Sequence, residues 1–141
     1  MDFESARAAL ERSVFGDLEL ADAAKLFWLG RPRRYGAGDA VFRRGEDARN
    51  EARFLIVVSG ELVAVAEDGR KIGSMVGGEI VGELGLTTKE KKRMVDVRAE
   101  GPTDAIEYRL NDLREIDGEL GRRVTDRLEN TAWHRLSQSL G

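Results

Sequence analysis

Apolar residues recur at helical spacing at the start of the chain and at strand spacing through its middle. Between residues 2 and 29, Phe3, Ala6, Leu10 and Val14 form one helical series, and Leu18, Ala21, Ala24 and Leu29 form a second. Gly16 and Gly30 interrupt or close these stretches. The spacing predicts an N-terminal helical cap over 1–30. From Tyr35 to Leu110 the pattern changes to short alternating or apolar runs separated by Gly, Asp and Asn. Glu61–Ala66 and Lys71–Val76 flank Asp68-Gly69, a dipeptide suited to a tight hairpin. Met94–Val97 and Thr103–Leu110 alternate as further strands. No helix of crossover length separates these runs, so a parallel α/β sheet is not expected, and many short strands point to a sandwich or jelly roll. Asn111-Asp112-Leu113-Arg114 reads as a cap and a helical turn, and a longer helix follows from Gly118. Leu120, Val124 and Leu128 make one stripe of that helix, and Trp133, Leu136 and Leu140 make another, rotated around the axis. The expected architecture is a single α+β domain over 1–141: the helical cap at 1–30, an antiparallel β-roll or jelly roll at 31–110, and C-terminal helices at 111–141.

Composition narrows the function. The 141 residues suit one hydrophobic core. A net charge of −3 supplies no chain-wide basic field for nucleic acid or acidic membrane. With no cysteine, disulfides, thiolate metal sites and cysteine nucleophiles drop out together. The acidic start Met1-Asp2-Phe3-Glu4 is unlike a secretory signal, and the longest apolar run, Phe54–Val58, is too short to cross a bilayer. The expectation is a cytoplasmic domain without a membrane partner. His134 is the only histidine and sits in a charged helical tail, so neither a histidine metal cluster nor a serine triad is available. The carboxylates are scattered, and no EF-hand pattern is present. No enzyme activity, catalytic residue, metal or cofactor is expected.

The candidate chemistry lies in residues 77–99, GGEIVGELGLTTKEKKRMVDVRA. Gly77 and Gly82 have Walker A spacing, but Glu83 stands where the lysine must be. The dinucleotide fingerprint needs a glycine where Ile80 stands. Gly82 and Gly85 let backbone N–H groups approach an anion without an intervening Cβ. A helical turn starting there would aim its N-terminal donors at that anion. Glu83 is an acceptor suited to a sugar hydroxyl, and Arg93 is a planar charged fork suited to a phosphate. On residue types alone, a sugar phosphate site and a plain tight turn with Glu83 and Arg93 solvated are both open. The basic cluster Lys89–Arg93 reads as a solvated loop with its last residue turned inward, not as a nucleic-acid surface.

Gly82-Glu83-Leu84-Gly85-Leu86 with Arg93 resembles the phosphate-binding cassette of the cyclic nucleotide-binding domain family, placed here over 77–95. Arg34–Phe42 with Arg44-Gly45-Glu46 is similar to the family's opening strands, and Phe54–Glu61 to its central strand and turn. The resemblance runs from about Phe15 to the C-terminus. It implies a β-roll closed by a C-terminal hinge and lid helix. It assigns the phosphate to Arg93 and to backbone N–H groups near Leu84 and Gly85, and the ribose 2′-hydroxyl to Glu83. Thr131 falls where activator-type members of the family set a threonine against adenine, and Ala132 stands where they carry serine. Met94 departs from the alanine, serine or threonine usual after the arginine, and Lys92 from the usual proline. Methionine removes a hydroxyl that could reach the phosphate or a guanine amino group. The expected function is a cyclic nucleotide sensor for cyclic AMP, with cyclic GMP as the second candidate ligand, acting through its terminal helices. The alternative is a ligand-independent β-roll interaction module with a degenerate nucleotide site. The C-terminal helix is the expected seam for a homodimer or an effector protein. No segment after it reads as a helix-turn-helix, so no direct nucleic-acid partner is expected.

Overall fold

The structure is a computed structural model, and it describes residues 2–46, 53–82, 93, 95–114 and 118–140. Helix α1 (Phe3–Arg12) starts at Asp2, whose carboxylate accepts the Ser5 backbone N–H at 2.8 Å and is held below the usual carboxylate range by that bond. Helix α2 (Leu20–Leu29) follows a turn. Eight strands come next: β1 (Arg31–Tyr35), β2 (Ala40–Phe42), β3 (Arg53–Ser59), β4 (Leu62–Val65), β5 (Lys71–Met75), β6 (Ile80–Val81), β7 (Asp96–Ala99) and β8 (Thr103–Arg109). Helices α3 (Leu110–Arg114) and α4 (Gly118–Leu140) complete the chain.

The strands form two antiparallel four-stranded sheets, ordered β1-β8-β3-β6 and β2-β7-β4-β5. The expected β-roll with flanking helices is what the chain builds. The Asp68-Gly69 hairpin joins β4 to β5, with Gly69 at φ 87° and the Arg70 N–H bonded to the Asp68 carboxylate at 3.0 Å.

The run Phe54–Val58 is apolar throughout because both faces of β3 are covered. Phe54, Ile56 and Val58 face a core shared with Leu10, Phe15, Leu26, Leu113, Val124 and Leu128 from the helices. Leu55 and Val57 face the space between the sheets, with Phe42, Leu62, Val97 and Ala105. The stripe Leu120, Val124 and Leu128 packs on the helix-covered face. The side chains of Trp133, Leu136 and Leu140 lie outside the described ones.

The early helices differ from the expected stripes in detail. α1 ends at Arg12, leaving Val14 and Leu18 in the turn, and α2 buries only Leu26. The Ser13 hydroxyl bonds the Leu10 carbonyl at 2.6 Å and accepts the Phe15 N–H at 3.1 Å, which stops α1 early and turns Phe15 into the core.

Candidate functional site

β6 ends at Gly82, and β7 begins at Asp96. Gly82 has φ 98°, in the left-handed region where a Cβ is strained. A Cβ there would also fall 2.7 Å from Cζ of Phe42, so the glycine makes room for that ring.

Arg93 is buried with 6% of its surface exposed, which excludes the reading of a solvated loop arginine. Its guanidinium donates from Nη1 to the Gly82 carbonyl and from Nη2 to the Arg53 carbonyl at 2.7 Å. It lies 4.0 Å from the centre of the Phe42 ring, a cation–π contact. The Arg93 main chain is also tied down, its N–H to the Glu46 carbonyl and its carbonyl to the Gly45 N–H, each at 2.9 Å. The opening segment Arg44-Gly45-Glu46 therefore anchors the far end of the cassette.

Arg53 stands beside this group at the start of β3. Its Nη2 donates to the Val41 carbonyl at 2.6 Å, and its guanidinium carbon is 4.5 Å from the same Phe42 ring. Its Nη1 reaches Glu107 Oε2 at 3.4 Å. Glu107 is buried on β8, with Arg33 Nε at 3.5 Å and Arg109 Nε at 4.0 Å also on its carboxylate. A buried carboxylate is tolerable only when paired and hydrogen-bonded, and the three arginines supply that pairing.

Of the expected site residues, the structure brings together Gly82 and Arg93. Thr131 lies on α4, partly exposed, and its hydroxyl donates to the Arg127 carbonyl one turn back at 2.8 Å. Among the described hydrogen bonds, none links it to Gly82 or Arg93. Glu83, Leu84, Gly85 and Met94 lie outside the described residues. Phe42, Arg53 and Glu107 are site neighbours that sequence reading missed. The signal for Arg53 and Glu107 was a charge in a core register: Glu107 lies two residues from the inward-facing Ala105, and Arg53 two from Leu55.

Other features are remote from this group. An apolar groove of about 260 Å³ lies between α1 and α2, lined by Phe3, Leu10, Phe15, Leu20 and Phe27 among others. No helix is long and apolar enough to cross a membrane among the described residues.

The family model for the cyclic nucleotide-binding domain matches residues 32–117. A cyclic nucleotide-binding domain from Methylobacillus flagellatus has the same fold with a TM-score of 0.79 at 20% identity, over 97% of this chain and 79% of that one. The regulatory domain of Toxoplasma gondii PKA, solved with cAMP, gives a TM-score of 0.70 at 24% identity, over 87% of this chain and 48% of that one. The catabolite activator protein of Thermus thermophilus gives 0.73 at 21% identity, over 89% and 59%. This chain thus spans about half the length of the Toxoplasma gondii protein and under two thirds of the Thermus thermophilus one. No curated protein matches it. With the family model matching most of the chain around a buried arginine at the cassette's end, the chain belongs to the cyclic nucleotide-binding domain family.

Proposed function

We propose that this domain is a regulatory sensor that binds cyclic AMP in preference to cyclic GMP and passes binding to its terminal helices. The observation that carries this reading is Arg93: a buried guanidinium, over the Phe42 ring and bonded to the Gly82 carbonyl, at the end of a segment with the cassette's sequence. Glu83 as the ribose acceptor, and Leu84 and Gly85 as phosphate donors, enter by resemblance, as do Met94 and Thr131 beside the base. A guanine amino group set against Met94 lacks an acceptor, which costs about 1–3 kcal/mol. While donating to the Arg127 carbonyl, the Thr131 hydroxyl keeps lone pairs that could accept from the adenine amino group.

Contacts between the roll and the helices support a response in the terminal elements. Arg12, the last residue of α1, lies on the Gly77-Gly78 turn that leads into β6, where a Cβ at Gly78 would fall 2.7 Å from its own Cβ. α4 is clipped to the turn after α1: Arg127 donates to the Val14 carbonyl at 2.9 Å and to the Asp17 carboxylate at 2.6 Å. Arg123 of α4 pairs with Asp22 of α2 at 3.5 Å. A shift of the cassette reaches α1 through this turn, and α1 reaches α4. Such a shift requires that the ligand bind the open and closed forms with different affinity.

One observation favours a second reading, that of an interaction module. Trp28 is 80% exposed and Leu20 71% exposed on the helical cap. A thermal-shift screen against cyclic AMP, cyclic GMP, linear AMP and cyclic dinucleotides separates the two. Ligand at a hundredfold excess over Kd stabilises by roughly 2.7 kcal/mol, about 5–10 °C for a domain of this size. Stabilisation by cyclic AMP above cyclic GMP is the expected result. Silence at millimolar ligand selects the interaction module, and a preference for cyclic GMP overturns the base assignment.

A further inference from the structure

We propose that Arg53, held by Glu107, is a positioning residue that fixes the plane of the Arg93 guanidinium and so sets how the site tells apart the two exocyclic oxygens of a cyclic phosphate. This rests on the reading that Arg93 takes that phosphate. Three described contacts support the Arg93 guanidinium: the Gly82 carbonyl, the Arg53 carbonyl and the ring of Phe42. Two of the three depend on Arg53. One is its own carbonyl. The other is the Phe42 ring, against which the Arg53 guanidinium also lies, while its Nη2 holds the carbonyl of the preceding residue, Val41, at 2.6 Å.

Fold stability alone does not account for this arrangement. Two guanidiniums on one buried ring repel each other, and a carboxylate in the inward register of β8 must be desolvated. Apolar residues of similar volume at the positions of Arg53 and Glu107 would fill the roll without either penalty. The pair makes sense as a brace. Glu107 offsets the second positive charge and fixes one end of the Arg53 fork, Val41 fixes the other, and the carbonyl presented to Arg93 stays in place. A planar fork selects between acceptors only when its plane is held. A cyclic phosphate offers two inequivalent exocyclic oxygens, and replacing one with sulfur weakens the acceptor at that position.

The Sp and Rp phosphorothioate diastereomers of cyclic AMP therefore report on the brace. Calorimetric titration of both compounds into wild type, Arg53→Met, Glu107→Gln and Arg93→Lys gives an affinity ratio for each protein. Wild type is expected to prefer one diastereomer by about tenfold or more, the scale of one charge-assisted hydrogen bond. Arg53→Met and Glu107→Gln are expected to move the ratio to within about threefold of unity, a loss of at least about threefold in selectivity. General destabilisation of the fold scales both compounds alike and leaves the ratio unchanged, so the ratio separates positioning from a merely structural role. If Arg53→Met does not fold, the near-isosteric Glu107→Gln carries the test. A wild-type ratio preserved in Arg53→Met or in Glu107→Gln but lost in Arg93→Lys overturns the brace and leaves the phosphate assignment standing. A wild-type ratio near one also overturns it. No binding by wild type, or an Arg93→Lys protein that binds as wild type does, removes the phosphate assignment itself and the brace with it.

Discussion

On one face of the sheet β1-β8-β3-β6, Phe54, Ile56 and Tyr108 meet the helices, with Leu26, Val124 and Leu128 against them. On the other face the same two central strands present Leu55 and Ala105 to the second sheet, and then Arg53 and Glu107 at one end. Adjacent residues thus stand in opposite environments: Ile106 in an apolar core, Glu107 under three guanidiniums. The helix-covered face is explained by area removed from water. The charged end of the roll is not, because buried ion pairs are often no better than well-packed apolar residues of the same size. Where a strand departs from its apolar register inside a roll, the departure marks the place where the domain handles charge.

The widest gap between the faces is expected in stability. Phe54 is fully buried and stacks on Tyr108 with ring centres 5.2 Å apart. Phe54→Ala should lower unfolding free energy by about 3–5 kcal/mol, read from the denaturant midpoint. The fraction that remains folded should bind cyclic AMP as wild type does, since Phe54 faces away from Arg93. Equal losses of stability and intrinsic affinity would mean that the two faces are one cooperative site.

Arg93→Lys is the reverse experiment on the other face. Lysine keeps the charge but cannot bond the Gly82 and Arg53 carbonyls and a phosphate in one plane. The expected loss is about 1.5–3 kcal/mol of binding, roughly ten- to a hundredfold in Kd by calorimetry. Its denaturant midpoint should fall less than that of Phe54→Ala. Unchanged affinity would place the phosphate elsewhere in the roll.

The same two faces explain what was readable in the chain. The helix-covered face was legible because its signals are periodic and local, as in Leu120, Val124 and Leu128 on α4, and the β4–β5 hairpin of the second sheet was legible for the same reason, from alternating runs around Asp68-Gly69. β1 was not, since Arg31–Arg34 are all exposed and Pro32 occupies an edge strand that, among the described residues, pairs only with β8. In the site, Arg93 stood out because glycines and a cassette pattern precede it. Arg53 and Glu107 are far apart in sequence and meet only through the β3–β8 register, so neither carries a local sign of its partner. Thr131 shows a different limit. The hydroxyl was visible in the sequence, but its capture by the Arg127 carbonyl of its own helix was not.

The apolar face has one flaw that sharpens the comparison. The Tyr108 hydroxyl is buried without a hydrogen-bond partner among the described residues, and burial raises its pKa well above the phenol value of 10.0. Tyr108→Phe should therefore hold or raise stability, by up to about 1 kcal/mol at neutral pH. Above pH 10.0 the gap should widen, because the unfolded phenol ionises while the folded one resists, so wild type loses stability that the variant keeps. A clear loss of stability in Tyr108→Phe at neutral pH would show that the hydroxyl has a partner after all.

Charges on the helical side are exposed rather than buried, and their contribution should be the smallest. Asp17 pairs with Arg127 across the turn after α1, and that hydrogen bond holds its carboxyl below the ordinary value of 3.8. With a lowered folded pKa, its contribution is complete above the ordinary value and is lost as pH falls through the folded one. Thermal melting of wild type and Asp17→Asn should therefore differ slightly at neutral pH and converge in acid, with a smaller difference than Tyr108→Phe produces. Added salt should narrow the neutral-pH difference, as it does for exposed pairs, and should leave the effect of Phe54→Ala unchanged. The Val14 carbonyl still accepts from Arg127 in the variant, so hydrogen exchange in α4 should rise modestly rather than reach that of an undocked helix. A difference that grows in acid would mean that Asp17 is held by something other than Arg127, and the polar ties between the helical cap and α4 would then rest on the Arg127 bond to the Val14 carbonyl and the pair Arg123 and Asp22.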